Sequence, residues 1–175
     1  MKKKRSRRRR PIVPPTVCPV VPPAASPVAS PQISPAIALE QQALPIVSEL
    51  ARVARGAEPP PVKLEGAMEI LFGAYGESDP EFSGRLLSGW LQAREDKEFR
   101  LTLAWQREQI RLSLQDILAE GATSGVFRRD LEAGAVAAII LGVAEGCLLQ
   151  TATQGGPVSP EHLLRSLLAL VSTEA

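Results

Sequence analysis

Apolar side chains recur every three or four residues along most of the chain after residue 34, and no segment of useful length alternates between apolar and polar residues. A spacing of three and four gathers side chains on one face of an α-helix, whereas a half-buried strand requires alternation. The pattern therefore predicts an all-α domain of five or six helices.

Capping and helix-breaking residues give the expected helix boundaries. Ser34-Pro35 is typical of a helix start, Asp96 is expected to begin the fourth helix, and Asp130 is expected to cap the fifth. Pro45 is expected to kink or interrupt the first helix, because a proline inside a helix removes a backbone hydrogen bond. The six helices are predicted to cover residues 36–55, 62–75, 80–91, 96 to about 120, 131 to about 153 and 160–172.

The fourth predicted helix carries two apolar rows. The first row contains Phe99, Leu103, Ile110, Leu114 and Ile117, and the second contains Leu101, Trp105 and Leu112. A helix that buries a single face shows only one such row, so we expect this helix to contact neighbours on more than one side.

The fifth predicted helix is apolar on nearly every side, and the sixth has a leucine-rich face. A lone subunit would expose a large apolar patch there, so we predict that these two helices pair with a second copy of the chain. The alternative is that both faces fold into a monomeric core. The candidate interface residues are Ala138, Gly142, Glu145, Gly146, Leu149, Leu163, Leu164, Leu167 and Leu168.

Residues 1–35 differ in composition from the rest and are interpreted as a disordered tail in front of a domain at 36–175. Eight of the first ten residues are basic, whereas the remaining 165 carry 12 basic and 19 acidic side chains. Nine prolines between Pro11 and Pro35 favour extended chain and give no means of burying a core. The basic tip is suited to non-specific contacts with nucleic-acid phosphates, and the alternatives are a solvated tail or a misplaced start codon. The candidate contact residues are Lys2, Lys3, Lys4, Arg5, Arg7, Arg8, Arg9 and Arg10.

The residues of catalytic and metal chemistry are sparse. His162 is the only histidine and lies at the start of the last helix, where a capping or surface role is expected. Cys18 and Cys147 lack the close spacing of a zinc site and are interpreted as free thiols. Glu132 and Glu145 are separated by about 20 Å of helix, which is too far for a catalytic carboxylate pair. We therefore expect no enzyme activity, no metal and no cofactor.

Membrane association is not expected either. The longest apolar stretch, Leu131–Leu149, contains Glu132 and Glu145 and falls short of the roughly 20 apolar residues of a membrane span. The basic N-terminus is followed by proline-rich chain, which cannot form the apolar helix of a signal peptide. A cytoplasmic location is therefore expected.

Four segments, taken in order, resemble the C-terminal domain of TetR-type bacterial transcriptional regulators. WLQAREDKEFR at 90–100 is similar to the junction of a Trp-x-x-Ala helix with an Asp-x-x-Phe/Leu-Arg helix, and ILAEGATSGVFRRD at 117–130 is similar to the junction that ends Gly-x-Phe/Ile-Arg-x-Asp. The helix at 135–150 ends EGCLLQ, and SPEHLL at 159–164 resembles the usual start of the last helix. The resemblance covers roughly residues 62–172 and is greatest to the betaine-responsive-regulator type.

This resemblance implies a homodimer and an internal pocket for a small-molecule effector that the sequence does not identify. In the family, the last two helices of each subunit form a four-helix bundle across a two-fold axis, and the effector binds among the preceding helices. The pocket candidates that the resemblance implies are Phe72, Tyr75, Trp90, Arg94, Trp105 and Gln109, although ordinary core packing is an alternative for each aromatic residue.

The resemblance does not extend to the helix-turn-helix head that family members carry before this domain. Here that place holds basic and proline-rich chain, so we expect no sequence-specific operator binding from this chain alone. The leading hypothesis is a ligand-sensing, homodimerising module of a TetR-type regulator or repressor, able to form heterodimers with a full-length paralogue. The alternative is a helical interaction protein whose basic tail binds nucleic acid non-specifically.

Overall fold

The computed structural model describes residues 34–75, 80–152 and 159–173. The prediction of an all-α domain is confirmed, since the described residues form six helices and their only β-type pairing is an isolated bridge between Phe127 and Ser172. The helices are α1 Pro35–Ala54, α2 Pro60–Tyr75, α3 Pro80–Gln92, α4 Lys97–Ser124, α5 Ala133–Ala152 and α6 Pro160–Val171.

Pro45 was expected to kink or interrupt α1, and the helix runs through this proline without interruption. The proline lies on the solvent-exposed side of the helix, as does Gln41, whose carbonyl loses its usual partner. Water can satisfy that carbonyl, so one missing backbone hydrogen bond costs too little to end the helix. The opposite side of α1 buries Leu39, Val47 and Leu50.

Helix α4 is the longest element and packs against α1, α2, α3 and α5. The Asp96 side chain caps the helix by accepting a hydrogen bond from the backbone N–H of Glu98 at 2.7 Å, at the helix start predicted from the sequence. The helix ends at Ser124, a few residues beyond the approximate end predicted near residue 120, and Gly125 follows it with a φ of 77°, in the left-handed region that glycine adopts without strain.

The first apolar row of α4 is buried, as predicted, but the second is not. Phe99, Leu103, Ile110, Leu114 and Ile117 face the core. Leu101, Trp105 and Leu112 are exposed to solvent in the single chain. The neighbours of α4 therefore contact it through other positions, including Gln106, Ser113 and Leu118.

The turn between α4 and α5 holds the end of α6. The backbone N–H of Arg128 donates to the carbonyl of Val171 at 2.8 Å, beside the bridge from Phe127 to Ser172. The predicted cap at Asp130 is wrong. The Asp130 carboxylate instead accepts from the Arg128 guanidinium at 2.7 Å, and Glu132 caps α5 by accepting from the backbone N–H of Ala135.

Within the described residues, Ala133–Gln150 of α5 is long and apolar enough, by length and composition alone, to cross a membrane. The expectation that this stretch is too short and too polar is therefore wrong on those two criteria. The same helix packs against α2 and α4 through one side, which buries Ile140, Ala144 and Leu148.

Candidate functional site

One side of α5 is exposed to solvent in the single chain. Ile139 and Leu149 are 58% and 51% exposed, and Ala138 and Gly142 are exposed as well. A Cβ added at Gly142 or Gly146 would meet no atom within 4 Å. We call this surface, comprising Ala135, Ala138, Ile139, Gly142, Gly146 and Leu149, the open face of α5.

Helix α6 contributes a smaller apolar surface. Leu163, Leu164 and Leu168 are half-buried against the core, and Leu170 is 66% exposed. Leu167, which was predicted for the interface, is buried within the subunit.

Two exposed residues of these helices, Ile139 and Leu170, were not among the predicted interface residues. The prediction selected mainly small residues on α5 and the regularly spaced leucines on α6. A search for apolar residues on the side of each helix opposite its buried row would have found them. Ile139, for example, lies more than 90° around α5 from the buried Ala144.

A groove of about 470 Å³ lies where α3, α4 and the second half of α5 meet. Trp90 comes from α3 and Ala93 from the turn after it, Leu103 and Ala104 come from α4, and three charged residues complete the lining. These are Arg100, Arg107 and Glu145. We call this the Trp90 groove; its size lies within the range of small-molecule sites.

An ion pair joins α4 to α5 within the Trp90 groove. Arg107 Nη2 donates to Glu145 Oε2 at 3.1 Å, and Arg107 Nε lies 2.8 Å from Glu145 Oε1. Burial raises the pKa of the Glu145 carboxyl, and the nearby Arg107 charge opposes that rise only in part. Glu145 was predicted for the dimer interface, and its carboxylate is instead occupied within the subunit.

Phe72 and Tyr75, both predicted to line a pocket, lie in the core of the described domain. The Tyr75 hydroxyl accepts a hydrogen bond from Gln106 Nε2 at 3.5 Å, and its ring stacks on Phe82 with centroids 6.2 Å apart. Burial raises the pKa of Tyr75, and the Glu145 charge raises it further. The Gln106 Oε1 atom is buried with no hydrogen-bond partner within the described residues.

The six predicted pocket residues do not surround one cavity in the single chain. Of the set, Trp90 alone lines the Trp90 groove. Arg94 and Trp105 are exposed, and Gln109 is half-buried, with its backbone carbonyl accepting from Ser113 Oγ at 3.1 Å. Sequence reasoning missed the two arginines of the groove, because their positions relative to α5 depend on how the helices are packed.

A second groove, of about 540 Å³, lies between α1, α3 and the start of α4. Pro35 and Ala38 border it on one side, and Gly84 and Ser88 on the other.

The predicted nucleic-acid contacts at residues 2–10 lie outside the described residues, as does Cys18. His162 is exposed, and the described residues contain no cluster of His, Cys, Asp and Glu that could hold a metal ion.

Comparison with known proteins gives one match. The model of a family described as "BetI-type transcriptional repressor, C-terminal" matches residues 60–175, about two thirds of the chain. No curated protein and no solved structure matches.

Proposed function

Because the chain belongs to the TetR family of transcriptional regulators, through a BetI-type C-terminal domain, we propose that residues 36–175 form the ligand-sensing and homodimerising module of such a regulator. In this proposal α5 and α6 pair with the same helices of a second copy. The Trp90 groove receives a small effector.

The observation that carries the dimerisation proposal is the open face of α5. A helix that exposes Ile139, Gly142 and Leu149 in a row presents a surface that water solvates poorly. The glycines weaken the helix by about 1 kcal/mol each relative to alanine. They also allow a second helix to approach closely, and a two-fold axis through this face makes it self-complementary.

The effector proposal follows from the position of the Trp90 groove beside that face. Glu145 is in the groove and, on α5, is followed directly by Gly146 of the open face. A ligand that binds one arrangement of α4 and α5 more tightly than another would shift the spacing of the two subunits. In this proposal the protein acts in the cytoplasm, and the same face permits heterodimers with a full-length paralogue.

Sedimentation equilibrium of the full chain tests the dimer. We expect a dimer at micromolar concentration and a folded monomer for Ile139→Asp, because a carboxylate cannot be buried unpaired at the centre of an apolar interface. Leu91→Asp is the matched control, since Leu91 is at least as exposed but lies on α3, away from the open face. A wild-type chain that sediments as a folded monomer at this concentration contradicts the proposal.

A further inference from the structure

The charges of the Trp90 groove are unequal. Two guanidinium groups, from Arg100 and Arg107, face one carboxylate, from Glu145. Arg107 is already paired with Glu145, whereas Arg100 makes no ion pair within the described residues. The groove therefore carries one unbalanced positive charge, although the chain after residue 10 is acidic overall.

The rest of the groove is apolar and contains one aromatic ring. Trp90, Ala93, Leu103 and Ala104 supply no hydrogen-bonding side chain except the indole N–H. Arg100 and Arg107 are seven residues apart on α4, so two helical turns place both on the same side of the helix with Leu103 and Ala104 between them. A ligand in this groove would meet an apolar surface bounded by two arginines.

From this arrangement we propose that the Trp90 groove binds an organic anion, a carboxylate carried on an apolar or aromatic body. This inference rests on the proposed function and specifies the class of effector. The carboxylate accepts hydrogen bonds from Arg100 and Arg107, whose guanidinium groups match it in geometry. The apolar body lies against Trp90 and Leu103.

A cationic ligand fits the same groove less well. The one carboxylate, Glu145, is engaged by Arg107, and a bound cation would lie beside two guanidinium groups. Repulsion between the bound cation and these two guanidinium groups raises the free energy of the complex, particularly where the side chains are partly removed from water. The Trp90 ring alone cannot offset that repulsion, because a cation–π contact contributes only about 0.5–2 kcal/mol.

Binding of the anion also competes with Glu145 for Arg107. When the ligand carboxylate engages Arg107, the hydrogen bond between α4 and α5 weakens, and Glu145 becomes a partly buried carboxylate with less compensation. Helix α5 carries the open face, so ligand occupancy and the position of that face are coupled.

Three probes of the same shape and different charge test the proposal on the full chain: benzoate, benzamide and benzamidinium. Trp90 reports binding through its fluorescence in a Trp105→Phe background, since the chain has two tryptophans. We expect benzoate to bind at least about tenfold more tightly than benzamide, in line with a charge-assisted pair of hydrogen bonds, and benzamidinium to bind most weakly.

Substitutions of Arg100 and Glu145 test whether the anion binds in the Trp90 groove. Arg100→Gln is expected to weaken benzoate binding about tenfold, whereas Arg55→Gln, which removes an exposed charge at the end of α1, leaves it unchanged. Glu145→Gln is expected to strengthen benzoate binding, because Arg107 is then free of its carboxylate partner. Tighter binding of benzamidinium than of benzoate, equal losses in Arg100→Gln and Arg55→Gln, or no benzoate binding at all would overturn the proposal.

The oligomeric state separates the two levels of inference. A dimeric chain that binds benzamide or benzamidinium and not benzoate contradicts the anion assignment and leaves the sensing module intact. A folded monomer at micromolar concentration that still binds benzoate contradicts the dimerisation module and retains the anion site.

Discussion

Phe127 lies directly over Gly121, so closely that a Cβ on the glycine would be 2.0 Å from Phe127 Cδ2. The Phe127 ring is fully buried, and the backbone N–H of Phe127 donates to the carbonyl of Gly121 at 3.0 Å. Both the side chain and the backbone of Phe127 are thus fixed against the last turn of α4. The same turn holds the C-terminal end of α6 through the hydrogen bond from Arg128 to Val171.

Gly121→Ala is expected to lower the free energy of unfolding by about 1–3 kcal/mol. The added methyl group must displace the buried Phe127 ring, whose Cγ and Cδ2 atoms lie against the glycine. The gain of about 1 kcal/mol that alanine brings to a helix interior offsets only part of the cost of moving the ring. Gly73→Ala on α2 is the matched control, since its Cβ meets no atom within 4 Å, and it is expected to be neutral or stabilising. Urea unfolding at one protein concentration measures both, and equal effects of the two substitutions would show that Phe127 moves freely.

The buried hydroxyl of Tyr75 leads to a prediction about alkaline pH. Burial raises the pKa of this residue above its ordinary value, so folding favours the neutral phenol. The stabilisation is complete below the unfolded pKa of about 10 and is lost as the pH rises above it. Tyr75 is the only tyrosine in the chain, so absorbance at the tyrosinate band reports it alone.

We expect tyrosinate absorbance to appear together with the loss of helical circular dichroism, in a single alkaline transition. Titration in urea, where the chain is unfolded, serves as the reference and should give the ordinary tyrosine pKa. A folded protein that forms tyrosinate near pH 10 would contradict the buried position of Tyr75.

Much of the fold follows from the sequence, because helix periodicity and capping are local properties. The order of six helices, the start of α4 at Asp96 and the buried row of α4 were all predicted from spacing and residue type. The cap of α5 was assigned to Asp130 and belongs to Glu132, because Arg128 engages the aspartate. A competing partner two residues away cannot be inferred from capping preferences.

The candidate site was less predictable, since it depends on how the helices are rotated against each other. Tyr75 and Trp90 are both aromatic residues on helices before α5, yet one stacks in the core and the other lines the groove. Arg107 pairs with Glu145, 38 residues away on another helix, rather than with a carboxylate of its own helix. Contacts between helices of this kind leave no periodic signal in the sequence.

Glu145→Gln is expected to leave the stability unchanged or to raise it at neutral pH. The pKa of Glu145 is raised by burial despite Arg107, so the cost of burying the carboxylate exceeds the benefit of the ion pair. A raised folded pKa means that wild-type stability falls, relative to the variant, as the pH rises through the titration range of the carboxyl. The free-energy difference between the two proteins, measured by urea unfolding at several pH values, should vanish at low pH.

Glu108→Gln is a suitable comparison for that pH dependence. The hydrogen bond from Arg111 lowers the pKa of Glu108, so its carboxylate is favoured by folding. Wild-type stability relative to Glu108→Gln should therefore fall as the pH is lowered, opposite in sign to the result for Glu145. The same sign for both variants would contradict the different environments of these two carboxylates.

The pair formed by Lys63 and Glu120 is expected to respond unequally to removal of its two members. Lys63 is 4% exposed, with its Nζ atom 2.7 Å from Oε2 of Glu120, whereas the glutamate side chain is 47% exposed. Glu120→Gln leaves a buried ammonium without its counter-charge and should cost about 2 kcal/mol. Lys63→Met keeps the apolar stem in place and releases a carboxylate that already reaches water, so it should cost less. Glu49→Gln, which breaks an exposed pair with Arg52, is the control and should change stability by no more than about 0.5 kcal/mol. A larger loss for Lys63→Met than for Glu120→Gln, measured by urea unfolding, would show that the ammonium is better solvated than its burial indicates.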